Sequence, residues 1–187
     1  LDVIELLTGS VTGQEANLLY IAVTTDTGCF QYANTNAATL RVAARLLELG
    51  ADNRKISMDF FRKISRARMA LVGQIYSGMR FFRGGQVAIA VVTRALIDSV
   101  HATEDDCDDI AGLPGRAEGA VVSVTIRELL DGRSKISVRS NPEVDACAIC
   151  AVYGGGGHKM ASGCTLDCGT ETAVEKILAA IDQVWPA

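Results

Sequence analysis

The sequence of 187 residues has little of what defines disordered, fibrous or membrane proteins. It contains only three prolines, and its residues are 49% hydrophobic and 21% charged, which is typical of a globular chain. No apolar run reaches the length of a membrane span, and no charged, then apolar leader opens the sequence. We therefore expect a soluble, cytoplasmic protein that does not bind membranes.

The net charge of −4 argues against the basic coat that many nucleic-acid-binding proteins carry. Basic residues nevertheless cluster between residues 54 and 83, and Asp59 is the only acidic residue in this segment. This cluster has two interpretations. It forms either the solvated face of an amphipathic helix, which we favour, or a surface that attracts nucleic acid.

Six cysteines raise the question of disulfides or a zinc site. Cys147 and Cys150 lie in an apolar, helix-like run, where cysteine usually acts as a small hydrophobic residue. A protein without a secretory leader keeps its thiols reduced by default. We therefore expect neither disulfides nor structural zinc.

Hydrophobic periodicity predicts an α/β chain of the α+β kind with three parts. Residues 1–56 are mainly helical, with caps at Thr12 and in the segment 34–36, and a long helix over about 57–79 serves as a connector across 57–81. Residues 82–187 alternate short strands with helices and form a mixed sheet. A hairpin turns at residues 131–132, and an amphipathic helix covers 170–185.

A run of four glycines followed by histidine is the strongest candidate for a binding site. Glycine backbones allow a ligand to approach the main chain, and successive N–H groups in such a turn bind anions. Upstream, an arginine flanked by serines ends a predicted strand and offers a guanidinium suited to phosphate. The alternatives are a flexible linker and a surface arginine. The candidate substrate-binding residues are Arg139, Ser140, Gly154, Gly155, Gly156, Gly157 and His158.

Two separated motifs resemble one family. Residues 19–30, Leu-Tyr-Ile-Ala-Val-Thr-Thr-Asp-Thr-Gly-Cys-Phe, resemble the fourth conserved segment of the DHH phosphoesterases. Residues 137–140 followed by 154–163 resemble the DHH-associated C-terminal domain with its Gly-Gly-Gly-His signature. The order and spacing of both segments are similar to the bifunctional oligoribonuclease and phosphoadenosine-phosphate phosphatase branch. The resemblance covers essentially the whole chain.

The resemblance implies a role for each candidate residue. Asp26 matches the acid of the fourth segment, so it is expected to be catalytic as a ligand of one of two Mn²⁺ ions. The alternative for Asp26 is a turn cap beside Thr25 and Thr27. Arg139, His158 and the glycines match the positions that hold the terminal nucleotide of the substrate.

The sequence departs from the family in one large respect. The Asp-x-Asp segment and the Asp-His-His triplet are absent, since the only histidines are His101 and His158. A single carboxylate does not hold two Mn²⁺ ions against water, so we expect an incomplete metal site and an inactive chain. Leu1 stands in place of an initiator methionine, which favours a chain cut upstream. Such a chain exposes apolar surface in its N-terminal piece, so we expect either self-association, for example as a homodimer, or partial disorder before Ser57.

The expected function is the substrate-binding portion of a metal-dependent phosphoesterase. Its substrates are short oligoribonucleotides, 3′-phosphoadenosine 5′-phosphate, or both. Within the same family, cyclic-dinucleotide hydrolysis and single-strand exonuclease action remain open. A third alternative, from another class, is a non-catalytic nucleotide- or RNA-binding module.

Overall fold

The computed structural model describes residues 2–32 and 34–186, and the chain divides into two compact units, Leu1–Ile64 and Ser65–Ala187. The described part of the first unit is helical. Its elements are α1 (Asp2–Thr8), α2 (Gly13–Asp26), α3 (Ala37–Glu48), α4 (Asn53–Ser57) and a π-helical turn at Met58–Arg62.

The two longer helices of the first unit begin at the caps that the sequence predicts. The Thr12 hydroxyl accepts from the Glu15 amide at 3.3 Å, and the Glu15 carboxylate accepts from the Thr12 amide at 2.8 Å. The Asn36 side chain likewise accepts from two amides of the first turn of α3. Each cap satisfies N–H groups that have no partner within a helix, so the chain enters α2 and α3 at defined residues.

A small apolar core joins the helices of the first unit. Tyr20 of α2 is 3% exposed and packs edge-to-face on Phe30, with ring centroids 6.3 Å apart. Its hydroxyl donates to Asn53 at 3.1 Å, which ties α2 to the start of α4. Leu46 of α3 is fully buried in the same cluster. This packing holds the C-terminal end of α2, where Asp26 lies.

The predicted continuous helix over 57–79 is wrong. Helical backbone ends after the π-helical turn, Lys63 is extended, and a new helix begins only after Ser65. The Ser65 hydroxyl accepts from the Arg68 amide at 2.8 Å and so starts this helix afresh. Periodic apolar residues alone predicted one helix, but Phe60 and Ile64 are 52% and 48% exposed. The boundary between the two units therefore falls within the segment assigned to the connector.

The second unit is an α+β domain. Its helices are α5 (Arg66–Ser77), α6 (Arg94–Ser99), α7 (Ala146–Ala151) and α8 (Thr170–Val184). Its strands are β1 (Arg80–Phe82), β2 (Val87–Val92), β3 (Val122–Glu128), β4 (Ser134–Ser140), β5 (Gly156–His158) and β6 (Ala161–Leu166).

The strands form one mixed sheet in the order β1-β2-β3-β4-β6-β5. β2 and β3 are parallel, and the other neighbouring strands are antiparallel. One face of β3, β4 and β6 is apolar and packs against α7 and α8 in the main core. A second apolar cluster joins β2 to α5 and α6. The predicted hairpin is confirmed as β3–β4, and so is the mixed-sheet α+β class of this part.

Among the described residues, no helix combines the length and the apolar character that crossing a membrane requires.

Candidate functional site

Alternation along β4 decides which side chains share a surface. Ile136 and Val138 are 1% and 0% exposed and lie in the main core. Because successive side chains of a strand point to opposite faces, Lys135, Ser137 and Arg139 lie together on the other face. This face of the sheet carries polar side chains, so the fold separates the core from a candidate binding surface within one strand.

The strand register brings Arg139 and His158 onto the same face. Arg139 lies opposite Ala161 of β6, and Ala161 lies opposite His158 of β5. Residues that are directly opposite in antiparallel strands share a face, so His158 and Arg139 lie two strands, or about 10 Å, apart. The small methyl group of Ala161 is the side chain between them.

The next row of paired residues across β4, β6 and β5 places no bulky side chain on the same surface. Ser137 lies opposite Gly163, and Gly163 lies opposite Gly156. Two glycines without side chains therefore sit beside Ala161, and a ligand can reach the backbone there. We call the surface formed by these two rows the polar face; its members are Ser137, Arg139, Gly156, His158, Ala161 and Gly163.

The glycine run has two structural roles. The Gly154 and Gly155 amides donate to the Ala151 and Cys150 carbonyls, both at 3.0 Å, and they close the end of α7. The expectation that all four glycine amides are free to wrap an anion is therefore wrong for these two. Gly156 and Gly157 instead begin the edge strand β5. Alternate residues of such an edge turn their N–H groups away from the sheet, where they can meet a ligand.

Close packing requires glycine at position 155. A Cβ atom at this position would lie 2.5 Å from the Cys164 Cβ and 3.0 Å from the Cys150 carbonyl oxygen, and it would also overlap the Gly163 carbonyl oxygen. These contacts press the glycine run onto α7 and β6. The run is therefore held against the domain, which is the opposite of the flexible linker that glycine composition alone allows.

The charged groups of the polar face remain available to a ligand. Arg139 is half-buried, and its Nη1 donates to the Val138 carbonyl oxygen at 3.0 Å. Among the side chains that the structure describes, no carboxylate forms an ion pair with Arg139, and the exposed His158 side chain makes no hydrogen bond. A half-buried guanidinium without a carboxylate is well suited to bind an anion.

Ser140 is not brought together with the other candidates. Its hydroxyl donates to the Val144 carbonyl oxygen at 2.8 Å, so it fixes the loop that leads into α7. Ser140 follows Arg139 directly and therefore points to the opposite face of β4. Ser137 is the serine that shares a face with Arg139. The site predicted from the sequence leaves Ser137 out, although the period-two pattern of a strand selects it.

Asp26 lies in the first unit as the last residue of α2. It is exposed, and its Oδ2 accepts from the Asn34 side chain at 3.0 Å. The hydroxyls of Thr25 and Thr27 donate to helix carbonyls at 2.8 Å and 2.7 Å, so their protons are directed away from the Asp26 carboxylate. Within the part of the chain that the structure describes, no three His, Cys, Asp or Glu side chains are grouped to hold a metal ion. The residues present therefore do not fit a two-metal centre.

Two buried thiols lie directly beneath the glycine run. Cys150 of α7 and Cys164 of β6 are 0% and 8% exposed. Hydrogen bonding with the neighbouring Cys164 thiol lowers the pKa of Cys150 to about 7, and hydrogen bonding with Ser162 and the nearby Arg139 charge act in the same direction. The pKa of Cys164 is raised because its proton is held in this hydrogen bond and because it is buried. All six cysteines are free thiols in the structure.

Comparison with known proteins shows which family the second unit matches. Residues 84–185 match the family described as "DHHA1 domain", and this is more than half of the chain. The chain therefore belongs to the DHHA1 domain family, and the resemblance to DHH phosphoesterases with this C-terminal domain is confirmed.

Two curated relatives are similar to this chain over most of its length. The chain is 39% identical over 182 residues to the bifunctional oligoribonuclease and PAP phosphatase of Thermus thermophilus, covering 96% of this chain and 54% of that protein. It is 34% identical over 148 residues to the protein of the same name in Mycoplasma genitalium, covering 79% of this chain and 45% of that protein. The chain spans about half the length of the curated relatives it matches.

A solved structure agrees with both units. The crystal structure of an exopolyphosphatase-related protein from Bacteroides fragilis superposes with a TM-score of 0.85 at 25% identity. The match covers 92% of this chain and 51% of that chain. Similarity over nearly the whole chain confirms the mixed α/β fold.

Proposed function

We propose that the polar face binds the phosphate-bearing end of a short oligoribonucleotide or of 3′-phosphoadenosine 5′-phosphate. In this proposal the chain is the substrate-holding portion of a metal-dependent phosphoesterase. The observation that carries it is the register that sets Arg139 and His158 on one face, on either side of Ala161. The names of the two bacterial relatives supply the substrate class.

The chemistry of the face suits a phosphate. The Arg139 guanidinium offers two parallel N–H donors to two phosphate oxygens, and the His158 imidazole offers a further donor. Outward N–H groups of the edge strand β5 add main-chain donors beside them. Phosphate contacts of this kind position a nucleic acid without reading its sequence, which agrees with a substrate defined by its length.

Asp26 remains in the proposal as one ligand of a two-Mn²⁺ centre. Such a centre would supply an activated water and stabilise the leaving oxygen, but the described residues do not complete it. Among the described residues, no cluster of His, Cys, Asp or Glu accompanies Asp26, so these residues do not form the centre by themselves. The role proposed for this chain by itself is therefore binding, and positioning of the bond to be cut.

Isothermal titration calorimetry of the chain with 5′-phosphorylated diadenylate (pApA) and with AMP tests the proposal. We expect both ligands to bind, and Arg139→Ala to weaken both by about tenfold or more, because a hydrogen-bonded charge is lost. His158→Ala should weaken both to a smaller degree. Arg133→Ala is the matched control, since this arginine lies at the tip of the same hairpin and pairs with Asp131.

The control variant should bind as the unchanged chain does. Unchanged affinity in both Arg139→Ala and His158→Ala would show that the ligand binds elsewhere. Absence of any binding by the unchanged chain would contradict the proposed function as a whole.

A further inference from the structure

Two of the six cysteines, Cys150 and Cys164, form a pair beneath the glycine run. Both lie in the main core, where they are 0% and 8% exposed. A hydrogen bond joins the two thiols, so their sulfur atoms are direct neighbours. Phosphate binding at the polar face uses neither sulfur atom. The function proposed for that face therefore leaves the pair without a role.

The pair closes the segment that carries the glycine run and His158. Cys150 lies in α7 at the beginning of this segment, and Cys164 lies in β6 at its end. Gly155 lies between them, because a Cβ atom built there would be 3.0 Å from the Cys150 carbonyl oxygen and 2.5 Å from the Cys164 Cβ. A bond between the two sulfur atoms therefore ties both ends of the segment together beside Gly155.

On the side of the glycine run, main chain covers the pair, because glycines have no side chains. The strand β5, which continues this run, has only three residues, all exposed, and lies at the edge of the sheet. The Ser162 hydroxyl donates to the carbonyl oxygen of its first residue, Gly156, at 2.7 Å. Short edge elements of this kind open locally without unfolding the whole domain. Such an opening admits a molecule as small as hydrogen peroxide to the sulfur atoms.

The surroundings of the two thiols favour reaction at Cys150 first. Its pKa falls to about 7 because of hydrogen bonding with Cys164 and Ser162 and because of the nearby Arg139 charge. A large fraction of this side chain is therefore thiolate at neutral pH, and the thiolate is the form that reacts with a peroxide. The Cys164 thiol keeps its proton, since its pKa is raised. A reactive thiolate thus has a second thiol in direct contact, which can resolve the oxidised product.

We propose that Cys150 and Cys164 form a reversible redox switch, in which hydrogen peroxide converts the thiol pair into a disulfide and so shifts the glycine run. The Cys150 sulfur attacks one peroxide oxygen, the O–O bond breaks, and the leaving hydroxide takes up a proton to become water. The Cys164 sulfur then attacks the resulting sulfenic acid, the S–O bond breaks, and a second water leaves with the Cys164 proton. Two thiols are oxidised by two electrons and one peroxide is reduced to two waters. A dithiol such as dithiothreitol reverses the reaction by thiol–disulfide exchange.

The disulfide changes the polar face because Gly155 has no free space around it. An S–S bond of about 2.05 Å is much shorter than the contact between two hydrogen-bonded thiols, so its formation draws α7 toward β6. The Gly155 backbone already fills the space between these elements and must move outward. β5 follows directly, so His158 moves relative to Arg139. This consequence for binding rests on the proposed function of the polar face, and we expect the oxidised chain to bind phosphate more weakly.

Treating the reduced chain with stoichiometric hydrogen peroxide tests the switch. The intact mass should fall by about 2 Da, because two hydrogen atoms are lost, and peptide mapping should find Cys150 linked to Cys164. The NMR spectrum of the ¹⁵N-labelled chain should show shifted amides at residues 155–158, and dithiothreitol should restore the original spectrum. Cys150→Ala lacks the attacking thiolate and should show neither change. Cys147→Ala, on the same helix, is the matched control and should form the disulfide as the unchanged chain does.

Calorimetry with pApA on the reduced, oxidised and re-reduced chain measures the effect on binding. Oxidation should weaken pApA binding by about threefold or more, and dithiothreitol should restore it. Peroxide should not change the affinity of Cys150→Ala, whereas Cys147→Ala should lose affinity as the unchanged chain does. Circular dichroism melting curves confirm that each variant is folded.

The outcomes separate this inference from the proposed function. Six free thiols after treatment, or a disulfide between other cysteines, would overturn the switch. A disulfide between Cys150 and Cys164 that leaves the amides of residues 155–158 in place, or leaves pApA affinity unchanged, would also overturn it. If the reduced chain binds no pApA, the proposed function fails, and peptide mapping with the amide shifts then decides the switch by itself.

Discussion

At the scale of single residues, Gly155 shows how composition and packing combine at this site. The position has no room for a methyl group, because Cys164 and the carbonyl groups of Cys150 and Gly163 surround it. Gly156, one residue on, has no neighbour within 4 Å of a Cβ atom built there. Two adjacent glycines therefore serve different purposes. One permits close packing on the core, and the other leaves the polar face open.

Replacing each of these glycines with alanine should give opposite results. Gly155→Ala should lower the free energy of unfolding by about 2 kcal/mol, because an extra methyl group must displace backbone atoms. Gly156→Ala is the control and should change it by no more than about 0.5 kcal/mol. Urea denaturation followed by circular dichroism measures both values. Equal destabilisation by the two substitutions would contradict the packing assigned to Gly155.

A second feature at the residue scale is which serine of β4, Ser137 or Ser140, shares a face with Arg139. The sequence motif selected Arg139 and Ser140 as candidate substrate-binding residues, and the structure places Arg139 but not Ser140 on the polar face. Substrate binding by Arg139 stays a prediction. Only a definite strand assignment, with its alternation, distinguishes the two serines. The sequence could not predict that the Ser140 hydroxyl binds the Val144 carbonyl, because that contact depends on the path of the following loop.

At the scale of elements, the contact between α7 and β6 supports the glycine run from below. It contains the buried thiol pair Cys150 and Cys164. The pKa of Cys150 falls to about 7 and that of Cys164 rises. The stability of this contact should therefore depend on pH in a defined direction.

Between about pH 7 and pH 9 the folded chain has released the Cys150 proton, whereas the unfolded chain still binds it. Stability should therefore rise over this interval, by about 1 to 2 kcal/mol. Above about pH 9 the unfolded chain also releases the proton that folded Cys164 retains, so the gain should reverse. Urea denaturation under reducing conditions at several pH values measures the profile.

Cys150→Ala should flatten this rise, whereas Cys147→Ala, on the same helix, should retain it. Cys147 is partly exposed, whereas Cys150 and Cys164 are buried. The same slope in all three proteins would contradict the thiol pair.

Element prediction from the sequence succeeded where local chemistry is decisive. The caps of α2 and α3 and the β3–β4 hairpin all depend on a few neighbouring residues. The connector failed because a single serine, Ser65, starts a helix within an otherwise periodic apolar pattern. The pairing of β5 with β6 was also beyond the sequence, since glycines carry no pattern of alternation.

At the scale of the whole molecule, the chain combines one unit with a single candidate metal ligand and a second unit with a candidate anion-binding face. The first unit also exposes Leu18, Leu40 and Leu47, at 63%, 50% and 41%. These exposed side chains agree with the expected apolar surface, and self-association through them stays a prediction. Because the candidate metal ligand and the candidate anion-binding face lie in different units, we expect substrate binding by this chain to be independent of metal binding.

Adding Mn²⁺ to the chain tests this separation. We expect no hydrolysis of pApA and no change in its affinity, because one exposed carboxylate does not retain two metal ions. Anion-exchange chromatography of the reaction mixture measures hydrolysis, and calorimetry with and without Mn²⁺ measures affinity. Asp26→Asn is the matched variant and should behave as the unchanged chain does. Turnover that requires both Mn²⁺ and Asp26 would show that the chain completes a metal site by itself.

The most direct test of the central claim is an NMR titration of the ¹⁵N-labelled chain with pApA. The account predicts that the largest amide shifts fall on residues 137–139, 156–158 and 161–163, and that Arg139→Ala removes them. Shifts confined to other parts of the sheet or to the first unit, or no shifts at saturating ligand, would contradict the assignment of the polar face.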